Sequence, residues 1–239
     1  MSLPGSWARS YSSHLTFWRQ RIFTQTVAAD PPPLPEATDL TDSAPDRKAL
    51  RRELRAARAA FAAALSPVVR DALEKALAAH LPRLGPPGIL ASYCAGGDEI
   101  DPRYLEEAAR AAGWRVALPR VTDGPLSFHA ETALTPGYKG IPEPPADAPL
   151  LHPDLLLVPL LAADRAGNRM GQGKGHYDRT LAALRSAGSI RAVGLAWDMQ
   201  LADALPAEPW DQPLDAIATP TIFHLTPFHP EARGAKAGG

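Results

Sequence analysis

The sequence has a single cysteine, almost no net charge and no long apolar run. Its 239 residues carry a formal net charge of −1, which excludes a general attraction to nucleic acid or to a membrane surface. The one cysteine, Cys94, excludes an intrachain disulfide and is typical of a reducing compartment, so a cytoplasmic location is expected. No apolar run approaches the roughly 18–20 residues of a membrane-spanning helix. Hydrophobic residues make up 45% and charged residues 21%, which is ordinary for a globular protein.

One stretch of the chain combines a buried strand, a glycine-rich loop and a helix start. The apolar run 155–161 is typical of a strand buried on both faces, and leucines at helical spacing indicate a helix from Tyr177 onward. Between them lies Gly171–Gly175, with the sequence GQGKG. Free N–H groups of such a loop, beside the positive end of a helix, form a concavity that binds anions, and Arg169 and Lys174 add positive charge. The pattern predicts a phosphate site, and a glycine-rich turn without a ligand is the alternative.

The spacing of these glycines excludes two common phosphate-binding loops. A Walker A loop ending at Gly173-Lys174 would place Asn168 at its first glycine and Gly175 at its hydroxyl position. A dinucleotide-binding fingerprint that starts at Gly171 would have His176 at its third glycine. The loop therefore belongs to neither class.

Residues 168–179, NRMGQGKGHYDR, resemble the signature loop of the 5-formyltetrahydrofolate cyclo-ligase family, also called 5,10-methenyltetrahydrofolate synthetases. The family usually has two tyrosines before the aspartate, and His176 replaces the first of them. The resemblance implies an enzyme that uses ATP and Mg²⁺ to cyclise 5-formyltetrahydrofolate to 5,10-methenyltetrahydrofolate, releasing ADP and phosphate. The reaction would pass through an N5-iminium phosphate. The resemblance also implies a monomer that acts on folate with or without a polyglutamate tail, and no nucleic-acid or membrane partner.

The resemblance implies that a basic helix and the glycine loop bind ATP together. The run 47–58 is alanine-rich, with apolar residues at helical spacing and Asp46 as a plausible N-cap. Its ordinary interpretation is a solvated basic face. The family, however, has a Lys-x-x-Leu-Arg helix at its ATP site, with Arg47 at the lysine position and Lys48 there if the register shifts. The expected catalytic residues are Arg169 and Lys174. The expected nucleotide-binding residues are Arg47, Lys48, Arg51, Arg169, Met170, Gly171, Gln172, Gly173, Lys174, Gly175, His176 and Tyr177.

Two carboxylates are the expected Mg²⁺ ligands by the same resemblance, Asp178 beside the loop and Asp211 in a late acidic segment. The alternative for Asp178 is structural. It would then cap the helix that begins near Tyr177 and pair with Arg179 or Arg185.

Folate contacts are expected from two other segments. Glu99-Ile100-Asp101 resembles a family segment whose glutamate contacts the folate; the alternative is helix capping by Asp101 and dipole pairing by Glu99. Residues 137–144 resemble the family's Gly-Ile-Pro-Glu-Pro segment, which closes over the substrate. Cys94 aligns with a position of the folate pocket, although a lone cysteine is more often simply packed. The expected substrate-binding residues are Cys94, Glu99, Tyr138, Gly140, Ile141 and Pro142.

Strands alternate with helices, which predicts a three-layer, Rossmann-like α/β domain with a mostly parallel sheet and an N-terminal helical segment. Helices are predicted from Asp46, over 67–81 and over 102–112, and strands over 88–94, 114–118, 126–131, 192–197 and 216–223. The catalytic domain is expected to span 46–229. Residues 1–45 are a targeting-like segment, a disordered extension or the result of a start codon placed too early, and 230–239 a disordered tail.

Three other functions share part of these features. A different small-molecule phosphotransferase would have the glycine loop but not the folate segments. A non-catalytic paralogue would bind 5-formyltetrahydrofolate without turnover. A nucleic-acid-associated paralogue would need a binding module, and the sequence has no RNP-like or strongly basic segment.

Overall fold

The computed structural model describes residues 46–230. Its α-helices are α1 (Arg47–Ala64), α2 (Pro67–Ala76), α3 (Arg103–Ala111) and α4 (His176–Ala187), and 3₁₀ helices cover Leu77–Leu84, Tyr138–Gly140 and Asp198–Gln200. The strands are β1 (Ile89–Ala91), β2 (Arg115–Arg120), β3 (Ser127–Ala130), β4 (Thr135–Pro136), β5 (Pro142–Glu143), β6 (Leu150–Leu151), β7 (Leu155–Pro159), β8 (Ala162–Asp164), β9 (Arg169–Met170), β10 (Arg191–Leu195), β11 (Leu201–Ala202), β12 (Ala216–Ala218) and β13 (Phe223–Leu225). The expectations for residues 1–45 and 231–239 lie outside the described residues, and the predicted domain limits stay predictions. No described helix is both long and apolar enough to cross a membrane.

An eight-stranded sheet in the order β13-β12-β10-β7-β1-β2-β3-β6 forms the centre of the fold. The five strands from β12 to β2 run parallel to one another, and β13, β3 and β6 pair antiparallel at the two edges. Two smaller sheets, β11-β8-β9 and β4-β5, stand beside it. The predicted mostly parallel sheet is confirmed.

Successive side chains of β7 point to opposite faces of the sheet and pack in two different hydrophobic cores. Leu155 and Leu157 pack in one cluster with Leu105 of α3, whereas Leu156 and Val158 pack in another with Leu181 of α4. All four β7 side chains are fully buried. Helices therefore cover both faces, and the predicted three-layer α/β architecture is confirmed.

Helix α1 has its own small core. It begins after Asp46, whose side chain accepts a hydrogen bond from the Lys48 backbone N–H at 2.9 Å, so the predicted N-cap is confirmed. Leu54 packs with Leu161, Met170 and other residues of a third cluster. This contact places α1 beside the segments that follow the carboxyl end of β7.

Two of the predicted elements were wrong. The predicted strand 216–223 is two antiparallel strands, β12 and β13, because Thr219 closes a turn: its N–H donates to the Ile222 carbonyl at 2.8 Å, and its hydroxyl accepts from the Ile222 N–H at 3.0 Å. The chain between the apolar run 155–161 and the helix that begins near Tyr177 was expected to be one loop. It contains β8 and β9, which pair with each other. That pairing brings Arg169 and Met170 into the buried part of the domain.

Candidate functional site

The candidate site lies at the carboxyl edge of the parallel strands. The strand order reverses between β1 and β7, and in open α/β sheets ligands bind outside the carboxyl ends at such a reversal. The loop that contains Glu99 follows β1, and the chain from β7 continues through β8 and β9 into the glycine loop. Segments that are far apart in sequence thus meet at one edge.

The glycine loop, Gly171–Gly175, passes close to α1 and leads directly into α4. Gly173 has φ +92°, and a Cβ on it would lie 3.4 Å from Cδ of Arg51. Gly175 is the N-cap of α4 with φ +65°, and no side chain caps this helix. The first-turn N–H groups of α4 therefore lack a side-chain cap beside the loop, which is the arrangement of an anion site.

A row of arginines runs along one face of α1 and connects it to the site. Arg47, Arg51, Arg55 and Arg58 follow one another at spacings of three or four residues. Arg47 Nη1 donates to Asp211 Oδ2 at 2.7 Å, and Arg55 donates to Gln172 Oε1 at 2.9 and 3.1 Å. Arg47 and Arg51 were predicted site residues, whereas Arg55 and Arg58 were not, although the helical spacing of the four is visible in the sequence.

Two atoms of this row have no protein partner. The Nε atoms of Arg47 and Arg51 are buried and make no hydrogen bond within residues 46–230. Native proteins leave few buried N–H groups without a hydrogen bond, and many of the exceptions are groups that bind a ligand, an ion or water. Because Arg51 lies beside Gly173, an anion held by the loop would be near this guanidinium.

Arg169 is a buried cation in the same region, 7% exposed. Its Nη2 lies 2.5 Å from Asp178 Oδ1, and its Nη1 donates to the carbonyl of Gln212. Burial lowers the pKa of Arg169 and the Asp178 carboxylate opposes that shift. The guanidinium stays charged at neutral pH, as arginine does in proteins.

Asp178 and Asp211 each use one carboxylate oxygen and leave the other uncommitted. Asp178 Oδ1 accepts from Arg169 and from the Gln212 N–H at 3.1 Å, whereas Asp211 Oδ2 accepts from Arg47 and from the Glu208 N–H at 2.8 Å. Neither second oxygen has a hydrogen bond from the described part of the chain. Over the same residues, no group of three or more metal-ligating side chains converges.

The structural alternative for Asp178 was wrong in its partners. Gly175, not Asp178, is the N-cap of α4, and the carboxylate pairs with Arg169 rather than with Arg179 or Arg185. Arg185 instead pairs with Asp215 at 2.9 Å. The reason is the pairing of β8 with β9, which turns Arg169 toward α4.

The other residues of the predicted nucleotide site differ in their exposure and in the direction of their pKa shifts. Lys174 is exposed, whereas the side chain of Met170 is fully buried in the third cluster and its carbonyl accepts from the Leu161 N–H at 2.7 Å. Burial lowers the pKa of His176, and Arg179 and Lys174 lower it further, so the imidazole is neutral at pH 7. Burial, with Glu99 next, raises the pKa of Tyr177 well above its usual value, which keeps the phenol protonated.

Glu99 does not pair with a helix end. Its Oε2 accepts from the Gly96 N–H at 3.0 Å and its Oε1 lies 3.4 Å from Arg58 Nη1. Asp101 is the residue that accepts from the Arg103 N–H, at 3.0 Å, at the start of α3. The structural alternative is therefore wrong for Glu99, and Asp101 bonds a first-turn N–H of α3 although Pro102 is the N-cap of that helix.

The β4–β5 hairpin brings the predicted substrate loop beside the glycine loop. Its tip, residues 138–141, exposes 39% of Tyr138 and 41% of Ile141. The buried carboxylate of Glu143 fixes the tip by accepting from the Tyr138 N–H at 3.0 Å. The Tyr138 ring lies 6.1 Å from that of His176, edge to face, so the hairpin and the glycine loop border the same space.

Cys94, three residues beyond β1 on the same edge, is half-buried. Burial raises the pKa of its thiol to about 11, with Glu106 and Asp101 adding to the shift. The thiol is therefore protonated at neutral pH and contributes to packing rather than as a nucleophile.

Residues 43–220 match the model of the 5-formyltetrahydrofolate cyclo-ligase family. The chain belongs to this family. The cyclo-ligase of Escherichia coli K12 is 38% identical over 133 residues, which cover 52% of this chain and 72% of the relative. That of Mycolicibacterium smegmatis is 32% identical over 165 residues, covering 64% of this chain and 84% of the relative.

Solved structures of cyclo-ligase relatives have the same fold. The 5,10-methenyltetrahydrofolate synthetase of Aquifex aeolicus superposes with a TM-score of 0.60 at 29% identity, over 74% of this chain and 92% of that one. The synthetase of Mycoplasma pneumoniae gives a TM-score of 0.53 at 26% identity, over 73% and 99%. The predicted family and enzyme class are confirmed, and the roles of single residues stay predictions.

Proposed function

We propose that the protein cyclises 5-formyltetrahydrofolate to 5,10-methenyltetrahydrofolate with ATP and Mg²⁺, releasing ADP and phosphate. The observation that carries this proposal within the family is the pair of buried Nε atoms of Arg47 and Arg51, which have no hydrogen-bond partner among residues 46–230, with Arg51 beside Gly173 of the glycine loop. A buried N–H without an acceptor is costly, and a polyphosphate oxygen supplies that acceptor. The folate substrate, with or without polyglutamate, the monomeric state and the cytoplasmic location are part of the same proposal.

The chemistry explains the need for a phosphoryl donor. A formamide oxygen is a poor leaving group, so it must be activated before the ring can close. Transfer of the γ-phosphoryl group to that oxygen gives an N5-iminium phosphate, the N10 amine attacks the formyl carbon, and phosphate departs with the former formyl oxygen. Such a reaction needs alignment and charge neutralisation rather than a covalent nucleophile, and the protonated thiol of Cys94 agrees with that requirement.

The phosphate-binding roles fall to the glycine loop and its cations. The backbone of Gly171–Gly175 and the start of α4 offer N–H groups, and Arg169 offers a fixed positive charge that Asp178 and Gln212 hold in place. Arg51 reaches the loop from α1. The exposed Lys174 can move toward a phosphate oxygen, as a flexible ammonium does in other phosphate sites.

The two aspartates fit a magnesium site that is completed by phosphates. Magnesium in such sites takes one or two carboxylates and fills its other positions with water and phosphate oxygens. Asp178 and Asp211 each have one uncommitted oxygen, which meets that count. When bound there, the cation would neutralise phosphate charge.

The folate would lie between Glu99 and the β4–β5 hairpin. The Glu99 carboxylate would accept hydrogen bonds from the pterin ring, and Tyr138, Gly140, Ile141 and Pro142 would cover the ligand. The exposure of Tyr138 and Ile141 supports this role, because large exposed apolar side chains that border a cleft are typical of ligand sites.

We expect purified protein to form the methenyl product only when Mg·ATP is present. The test follows the near-UV absorbance of the product in mixtures with and without nucleotide, and with Mg²⁺ removed by a chelator. Product that accumulates without nucleotide, or never accumulates with it, would contradict the proposal. Binding of 5-formyltetrahydrofolate without turnover would identify the non-catalytic alternative.

We expect Glu99→Gln to raise KM for the folate and to leave KM for ATP nearly unchanged. A hydrogen bond to a charged group is worth about 1.5–3 kcal/mol, so the increase should be roughly ten- to a hundredfold. Steady-state kinetics with each substrate varied in turn measures both constants.

Asp101→Asn is the matched control for Glu99→Gln. Asp101 is a carboxylate two residues away whose hydrogen bond goes to the start of α3. Asparagine keeps the acceptor oxygen, so the change should cost less than about 1 kcal/mol of stability and should leave folate kinetics unaltered. Unaltered folate kinetics in Glu99→Gln would remove Glu99 from the folate site.

A further inference from the structure

In the loop that carries Glu99, the backbone carbonyls of residues 97, 98 and 99 each accept a hydrogen bond from a side chain outside the loop. Arg70 of α2 donates to the carbonyls of Gly97 at 3.0 Å and of Glu99 at 2.9 Å. The indole N–H of Trp197 donates to the carbonyl of Asp98 at 3.0 Å. Together with the turn that the Glu99 N–H closes on the Gly96 carbonyl at 2.7 Å, these donors fix the conformation of the loop.

Arg58 is the buried centre of the same cluster. It is 3% exposed, and all three of its guanidinium nitrogens donate. Nε and Nη2 form a fork on the Asp98 carboxylate at 3.0 and 3.1 Å, and Nη1 donates to the Leu160 carbonyl at 3.0 Å. Arg58 therefore ties the loop after β1 to the chain after β7, across the point where the strand order reverses.

The same Nη1 reaches the Glu99 carboxylate at 3.4 Å, while the other carboxylate oxygen accepts from Gly96. The shorter bonds to Asp98 hold the guanidinium in place, and the longer contact of Nη1 is the one with Glu99. The Glu99 side chain is 16% exposed, so it is mostly buried and still accessible from outside. A carboxylate so deeply placed needs a cation beside it to remain stable.

We propose that Arg58 is a positioning residue, which fixes the Glu99 carboxylate in the orientation that accepts the adjacent N–H groups of a pterin ring. This inference rests on the proposed function, since it concerns how the folate is bound. The planar guanidinium contacts two carboxylates at once and fixes the orientation of both, which the point charge of a lysine cannot do. Fixing the acceptor before binding lowers the ordering cost of the complex, so loss of Arg58 weakens folate affinity through Glu99.

The test is a double-mutant cycle on folate affinity. Isothermal titration calorimetry gives Kd for 5-formyltetrahydrofolate, without nucleotide, for the wild type, Arg58→Gln, Glu99→Gln and the double variant of the full chain. Because Arg58 acts through a hydrogen bond to a charged group, we expect Arg58→Gln to raise Kd roughly tenfold or more. In the Glu99→Gln background the same change should alter Kd by less than about twofold, since the effect of the arginine requires the carboxylate.

A merely structural role gives a different result. If Arg58 only stabilises the domain, Arg58→Gln would raise Kd by the same factor in both backgrounds, and that outcome would overturn the proposal. Arg52→Gln is the matched control, because Arg52 is an exposed arginine of the same helix and its loss removes the same charge. Its Kd should stay within about twofold of the wild type.

Failure of the positioning role can be told apart from failure of the proposed function. If Arg58→Gln does not fold, the cycle is run with Arg58→Lys, which keeps the buried charge but loses the fork, and the same criterion applies. A wild type that binds no 5-formyltetrahydrofolate would contradict the proposed function itself. A wild type that binds it, with Arg58→Gln equal to the wild type, would overturn only the positioning role.

Discussion

Asp178→Asn should lower kcat by about a hundred- to a thousandfold, the loss typical of removing one preorganised electrostatic group from an active site. The same variant should need a higher Mg²⁺ concentration for half-maximal rate, because a neutral amide replaces the oxygen that is left for the cation. Rates measured over a Mg²⁺ titration at saturating ATP and folate test both effects.

The variant should also be less stable, by about 1–3 kcal/mol, because Arg169 loses its charged acceptor. Asp215→Asn is the matched control: it removes a buried carboxylate that pairs with Arg185 at 2.9 Å. That control should lose stability yet keep the Mg²⁺ dependence of the wild type. Asp178→Asn with normal kcat and normal Mg²⁺ dependence, but a lower Tm, would leave Asp178 with the pairing role alone.

Arg51→Met should lower kcat/KM for ATP by about a hundred- to a thousandfold and should not lower the Tm of the free protein. The reason is that Arg51 Nε is buried without a hydrogen-bond partner among the described residues, so the free protein carries an unsatisfied N–H that methionine does not have. The unbranched methionine also fills much of the space of the arginine stem. Steady-state kinetics and thermal unfolding without nucleotide measure the two quantities.

The sign of the stability change is what separates a ligand-binding arginine from a structural one. If Arg51 were a structural residue, its substitution would lower the Tm of the protein and leave kcat/KM for ATP unchanged. That result would contradict the phosphate role. Arg52→Met, on the exposed side of the same helix, should change neither quantity. Added ATP should raise the Tm of the wild type more than that of Arg51→Met, since binding to the native state alone stabilises it.

The sequence predicted the parts of the site whose signals are local. The alternating glycines of 171–175 indicated a positive-φ loop, and Gly173 and Gly175 do have positive φ. Asp46 before an alanine-rich basic run indicated a capped helix, and its side chain accepts from Lys48. The apolar run from Leu155 indicated a strand buried on both faces, and β7 lies at the centre of the sheet. In each case the residues that determine the feature are neighbours in the chain.

The parts that sequence did not predict depend on contacts between distant segments. The partner of Asp178 is Arg169 because β8 and β9 fold back on each other, and neither short strand has an alternating pattern long enough to indicate it. Arg58 is buried because Asp98 and the Leu160 carbonyl meet it, yet in the sequence it resembles the exposed arginines around it. Burial of one arginine in a basic helix cannot be inferred from periodicity alone.

The arginine row of α1 has a consequence for how the protein is made. This helix is synthesised before its partners, which lie from 40 positions further along the chain, at Asp98, to 164 positions further, at Asp211. At about 5–20 residues per second, the last partner emerges roughly 8–33 s after the helix. An 18-residue helix with like charges at neighbouring turns is marginal by itself in water. A nascent chain therefore cannot complete the proposed nucleotide site until translation has passed Asp211, and we expect affinity for the nucleotide to arise together with the completed domain.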